Sequence, residues 1–230
     1  MNEFANKVGF RRSSEDSCLY VLDSNAGPVY LLLYVDDILI ISKDLSQVQK
    51  VKCMLQREFR MVDLGEVHVF LGIRIERNFS KGVMKLSQPG YTEAILRRFG
   101  MESCTPAPTP MNVNLHLQRP KEQQTLEKPY RELIGCLTYL MVTSRPDLSS
   151  AVSYFSQFQC NPSQEHWSHL KRILRYLRGT SKYGLVYNRQ KSTVTPFLDT
   201  FFRFMVQLHL GAARSKGQLH SPQPSRNAAL

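Results

Sequence analysis

No two cysteines in this chain form a Cys-x-x-Cys pair. The five present (Cys18, Cys53, Cys104, Cys136 and Cys160) are scattered and odd in number. That excludes a disulfide framework and fits a reducing compartment. Acids are scarce: 19 Asp and Glu stand against 30 Lys and Arg, a formal charge of +11. The imbalance favours a polyanionic partner such as nucleic acid, although basicity alone confers no sequence specificity. No apolar run is long enough to cross a bilayer, because the longest is interrupted by Asp36 and Asp37. The first residues, Met1–Lys7, lack the charged-then-apolar pattern of a signal peptide. The expectation is a soluble intracellular chain, cytoplasmic or nuclear.

What the sequence does have is concentrated at Tyr30–Ile41. Two β-prone apolar runs flank the adjacent acids Asp36 and Asp37. Two carboxylates inside such a segment repel each other and cost desolvation energy, so a fold keeps them where something positive, usually a metal ion, sits against them. A tight hairpin with the acids at its turn is the simplest geometry. An acidic turn can also be merely solvated. Here, however, the apolar residues run right up to the acids, and no Gly, Asn or Pro eases the turn. That strain points to function.

Tyr34-Val35-Asp36-Asp37 resembles the Tyr-x-Asp-Asp box of reverse transcriptases, and Leu33–Ile40 resembles the form found in copia-type LTR retrotransposons. Further stretches match the same family. Gly9-Phe10 and Asp16-x-Cys18-Leu19-Tyr20 precede the box, and Phe70-Leu71-Gly72-Ile73 resembles the Leu-Gly hairpin that follows it. Beyond these come Tyr130-Arg131-x-x-Ile134-Gly135, Thr143-x-Arg145-Pro146-Asp147-Leu148 and His166-Trp167-x-x-x-Lys171-Arg172-Ile173-Leu174-Arg175-Tyr176-Leu177. The resemblance runs from Met1 to about Tyr187. It implies RNA- and DNA-templated DNA synthesis at a two-magnesium site, with Asp36 and Asp37 as metal ligands and Tyr34 and Val35 shaping the site. It also places Leu71 and Gly72 on the primer side. The basic face of the last helix (Lys171, Arg172, Arg175 and Arg178) would meet the backbone of a primer-template.

The implied fold class is α+β: part of a polymerase palm, an antiparallel sheet with packed helices, followed by a helical thumb or connection region. The expected divisions are 1–103 for the palm, 104–128 for a Pro-rich and polar linker, 129–187 for the helical region and 188–230 for a tail. Within the palm, Glu66–Arg77 reads as one strand, because Val67, Val69, Leu71, Ile73 and Ile75 alternate with the residues between them. Asp44 or Ser46 caps a helix to about Arg60, and Ser163 caps another.

Both ends depart from the family pattern. Met1 aligns at an internal position, so the fingers and the first catalytic Asp are expected to be absent, with other Pol segments supplying them. The tail has two readings, a disordered basic stretch or a frame-shifted ribonuclease H remnant. Read one base out of register, the codons of 210–224 permit a string resembling that region. On its own the chain is therefore expected to have little or no polymerase activity. The alternatives are a non-enzymatic nucleic-acid-binding remnant, a decayed transposon gene product and, more distantly, a metal-dependent phosphatase. A zinc site built from Cys160, His166 and His169 has the right ligand types, but no fourth ligand lies at finger-like spacing.

Overall fold

A computed structural model of the chain describes residues 2–124, 126–188 and 209–215. They fall into two compact units, one of residues 1–67 with 193–230 and the other of 68–192. The mixture of helices and antiparallel sheets agrees with the α+β expectation.

The first unit opens with α1 (Asn2–Lys7), then β1 (Arg11–Arg12), β2 (Leu19–Leu22), β3 (Val29–Tyr34) and β4 (Asp37–Ser42). Helix α2 (Leu45–Glu58) follows. As expected, Asp44 caps it, its carboxylate accepting from the Ser46 backbone N–H at 2.8 Å. Strand β5 (Met61–Glu66) comes next, and β10 (His209–Ser215) completes a sheet of order β1-β2-β3-β4-β10-β5. Every pairing is antiparallel. The apolar stripe of α2 (Val48, Val51 and Leu55) and Phe4 of α1 share a core with Val29, Leu31, Ile38 and Ile40.

Strands β4 and β5 each run antiparallel to β10, so they run parallel to one another. The crossover through α2 thus skips one strand position, which β10 fills. Strand β4 is buried from Ile38 to Ser42, as suits an interior strand. Sequence patterning offers no strand at 209–215, whose Gly211-Ala212-Ala213 has little β propensity. The ladder, six pairs from His209↔Ser42 to Arg214↔Asp37, is a tertiary choice. The rest of the expected tail, 189–208 and 216–230, lies outside the described residues.

In the second unit β6 (Val69–Phe70), β7 (Ile73–Asn78), β8 (Val83–Ser87) and β9 (Gly184–Asn188) form a four-stranded antiparallel sheet. The helices are α3 (Pro89–Arg98), α4 (Tyr130–Thr143), α5 (Ser149–Ser156) and α6 (Gln164–Gly179). Leu133, Leu137, Leu140, Leu148, Phe155, Leu170, Ile173, Leu174 and Leu177 are fully buried in their common core. No helix among the described residues is long and apolar enough to cross a membrane.

Two sequence expectations meet a different structure. The single strand over Glu66–Arg77 is three pieces, with a reversal at Leu71-Gly72 that pairs Phe70 with Ile73. Leu71 and Gly72 both take positive φ, 51° and 77°, which places a two-residue hairpin turn there. The turn swaps the faces of odd and even positions, so Phe70 is buried with Ile75 and Val69 is exposed, which the expected single apolar face did not foresee.

The Pro-rich stretch, expected as a joint, is instead fastened along α6. The Ala107 backbone N–H donates to the Arg175 carbonyl at 3.2 Å, and Ala107 is buried. A Cβ on Gly179 would come within 3.1 Å of Pro106. Further along, Asn161 holds Gln124 N–H and the Glu122 carbonyl, both at 2.9 Å, and Tyr154 Oη accepts from Leu117 N–H at 2.8 Å. Division into compact units falls at Val67/His68 rather than at the prolines.

Ser163 caps α6 in a capping box whose returning partner is His166: Ser163 N–H donates to His166 Nδ1 at 2.9 Å. Burial pushes the His166 pKa down, outweighing the nearby Glu165 that would raise it. Protonating Nδ1 would break the cap and place a cation at a helix N-terminus. The unfolded state therefore binds the proton more readily, and stability rises with pH. Unfolding free energy is expected to fall as pH drops below about 6.5, the unperturbed histidine value, and on through the lower folded pKa. His166→Gln keeps a capping-box side chain and should flatten that dependence in denaturant titrations at pH 7 and pH 5.

A candidate active-site hairpin

Strands β3 and β4 pair in register from Val29↔Ser42 to Tyr34↔Asp37, which leaves Val35 and Asp36 as a two-residue turn. A tight hairpin was expected with both acids at its turn; the turn lies one residue earlier, and Asp37 opens β4. Val35 takes φ 53° and is 81% exposed. Positive φ at the first central position belongs to glycine in hairpin turns of this length, and a β-branched side chain there is a true outlier. Tyr34 is exposed beside it, Asp36 is exposed at the tip, and Asp37 is half-buried at the first position of β4. The buried Ile38–Ile41 anchor the hairpin behind the acids. The fold therefore holds consecutive carboxylates at a strained, solvent-facing turn on an apolar stem.

The strain can be measured. Val35→Gly should raise the unfolding free energy by about 1 kcal/mol, the relief of positive φ less the added freedom of glycine in the unfolded chain. The denaturant midpoint reports it.

Leu71 and Gly72 form the second tight hairpin, in the other unit, and Leu71 is again a bulky residue at positive φ. In the first hairpin's sheet, Asp63 on β5 accepts from Lys52 Nζ and from Gly65 N–H, each at 2.9 Å. Burial pushes the Asp63 carboxyl up, but the Lys52 ammonium and the Gly65 N–H outweigh it, and the net pKa is lowered. Among the described residues no group of three or more His, Cys, Asp or Glu side chains is placed to hold a metal ion. That includes Cys160, His166 and His169, whose His166 is engaged in the cap.

The predicted nucleic-acid face of α6 is largely turned to internal work. Arg172 Nη2 donates to Thr109 Oγ1 at 3.0 Å, Arg175 Nε to the Thr105 carbonyl at 2.8 Å and Arg178 Nε to the Glu102 carbonyl at 2.6 Å. These arginines staple the 102–109 stretch to α6. Bonding through Nε leaves the outer N–H pair of Arg175 and Arg178 able to meet solvent or a phosphate.

Sequence reasoning missed Arg145. It is 1% exposed, and its guanidinium grips Asp147 at 2.8–3.3 Å and the Thr180 carbonyl and hydroxyl at 3.0 and 2.8 Å. Tyr176 and Tyr183 lie against it, and Tyr176 Oη donates to Asp147 at 2.9 Å. An Arg followed by Pro-Asp after an apolar helix was the available signal.

The profile of reverse transcriptases (RNA-dependent DNA polymerases) matches residues 1–113, spanning both hairpins. The Pol polyprotein of transposon TNT 1-94 from Nicotiana tabacum is 38% identical over 188 residues, and that of transposon RE1 from Arabidopsis thaliana is 40% identical over 179. This chain belongs to the reverse transcriptase family of retrotransposon Pol polyproteins. The two alignments cover 78% and 77% of it, but only 14% and 12% of those polyproteins. An uncharacterized mitochondrial protein of Arabidopsis thaliana is 38% identical over 173 residues, covering 75% of this chain and 71% of that protein. No solved structure matches. The strained turn at Val35 and the reversal at Leu71-Gly72 both fall within the matched residues.

Proposed function

We propose that Asp36 and Asp37 are the acidic element of an active site for RNA- and DNA-templated DNA synthesis. Tyr34 and Val35 shape the approach of the primer end, and Leu71-Gly72 lies along the primer. The observation that carries this reading is the turn itself: a β-branched residue at φ 53°, immediately before two carboxylates, where glycine would fold more easily.

Magnesium is the ion the family implies. Carboxylate oxygens are the donors it takes, so the two aspartates fit in kind. They fall short in number, since the described residues bring no third ligand to them. The pair alone does not enclose two ions that could steady an attacking and a leaving oxygen. What this chain contributes is position: acceptor oxygens at an exposed tip, fixed by the β3–β4 ladder. Other Pol segments complete the site.

The charge of +11 favours a second, compatible reading, retention of nucleic acid without chemistry. The purified chain with magnesium and a primer-template is expected to bind in a salt-sensitive way and to extend nothing, and Asp36→Asn should leave that binding unchanged. Magnesium-dependent extension abolished by Asp36→Asn would sink the incomplete-site reading. Absence of binding at low salt would sink the nucleic-acid reading.

A further inference from the structure

Arg172 on α6 uses half of a guanidinium fork. Its Nη2 donates to Thr109 Oγ1 at 3.0 Å. Its Nε, on the same edge of the planar group, is buried and has no hydrogen-bond partner among the described residues. A buried N–H left unpaired costs free energy and demands an explanation. That edge is the one on which arginine takes a phosphate or carboxylate through two parallel bonds, and a single hydroxyl oxygen fills only one of the two places. No acid stands within one turn of Arg172 on α6: Ser168–Tyr176 holds Lys171 and Arg175 but neither Asp nor Glu. The Glu102 side chain pairs with Arg97 instead.

The oxygen on that edge belongs to an exposed threonine on a bend outside any helix or strand, and a proline follows it. Pro110 disfavours helical backbone at Thr109. We propose that Thr109 is a phosphorylation site for a proline-directed protein kinase, and that the phosphate closes the Arg172 fork and clamps the 102–109 stretch to α6. In the transfer, Thr109 Oγ1 forms a bond to the γ-phosphorus of ATP. The bond from that phosphorus to its bridging oxygen breaks, ADP leaves, and the hydroxyl proton passes to the kinase's base. The product carries a charge of about −1.5 to −2 and three strong acceptor oxygens where one hydroxyl stood. Thr105-Pro106 is the contrast. It is exposed too, but the arginine beside it, Arg175, has its Nε paired with the Thr105 carbonyl.

The test uses the full 230-residue chain carrying Thr105→Ala, Thr195→Ala and Ser221→Ala, which removes its other Thr-Pro and Ser-Pro sites. Incubated with a proline-directed kinase and Mg-ATP, this chain is expected to take up one phosphate, mapped to Thr109 by mass spectrometry. Adding Thr109→Ala should abolish uptake. Followed by phosphorus NMR, the phosphothreonine should lose its second proton at least about half a pH unit lower than the same group in Arg172→Gln, because an adjacent guanidinium favours the dianion. Folded chain left unmodified at Thr109 overturns the proposal, and so does a phosphate that titrates identically in the two chains. Should circular dichroism show Arg172→Gln unfolded, Arg172→Lys decides. It keeps the charge but not the fork, and a titration unchanged from that of the Arg172 chain overturns the proposal.

Discussion

Residues 30–42 grafted in place of the matching hairpin of a Pol polyprotein first shown to extend a primer are expected to support DNA synthesis within about tenfold of the parent. In the graft, Asp36→Asn or Asp37→Asn should lower primer extension by roughly 10²-fold or more. A carboxylate that would hold a divalent cation against the reacting phosphate contributes several kcal/mol, and each 1.4 kcal/mol is a factor of ten. Asparagine keeps size and one acceptor but loses the charge, so folding should be spared. A second arm separates geometry from chemistry. Val35→Gly in the graft should stabilise the turn yet slow extension modestly, because a looser tip holds the acids less firmly. Extension that survives Asp36→Asn would show that the strained turn serves packing alone.

Arg145→Ala is expected to cost the second unit about 2–3 kcal/mol, for the lost hydrogen bonds of a buried guanidinium, less than a fully buried ion pair would because the Asp147 side chain is 38% exposed. The guanidinium joins the end of α4 to the end of α6 through Asp147 and Thr180, and its loss removes both links at once. Asp147 is held below the ordinary carboxylate range: burial pushes its pKa up, but Arg145 and then Tyr176 outweigh it. Arg145→Lys should rescue little, since one ammonium cannot reproduce a fork bonded on two sides. Arg178→Ala, by contrast, removes a single exposed contact to the Glu102 carbonyl and should stay within about 0.5 kcal/mol. Denaturant unfolding monitored at Trp167, the single tryptophan, reports both. Equal, small losses would show that the buried network is not holding the helices together.

Local signals were legible where one side chain or one period decides the outcome. Asp44 and Ser163 cap the helices they were expected to cap, and the acids of Asp36-Asp37 sit at a hairpin end. Two features were hidden for separate reasons. The alternation from Val67 to Ile75 reads as one strand, but the two-residue reversal flips its phase, leaving Val69 exposed while Phe70 is buried with Ile75; only the family's Leu-Gly pattern pointed to it. The 104–128 stretch looked loose because its fastening is supplied from afar, by Arg172, Arg175, Arg178, Tyr154 and Asn161, and composition carries no trace of distant donors. The carbonyl contacts made by the basic face of α6 were hidden in the same way, since an arginine that bridges to a carbonyl reads identically to one that meets a phosphate.

The position of β10 also fixes when the first sheet can be finished. Its ladder partners on β4 lie about 170 residues earlier, so a ribosome adding roughly 5–20 residues per second leaves the isoleucine-rich β4 without that neighbour for some 10–30 s. During that interval Ile38–Ile41 presents a bare strand edge, the kind that recruits other nascent chains. Co-expression with a holding chaperone is therefore expected to raise the recovered soluble fraction.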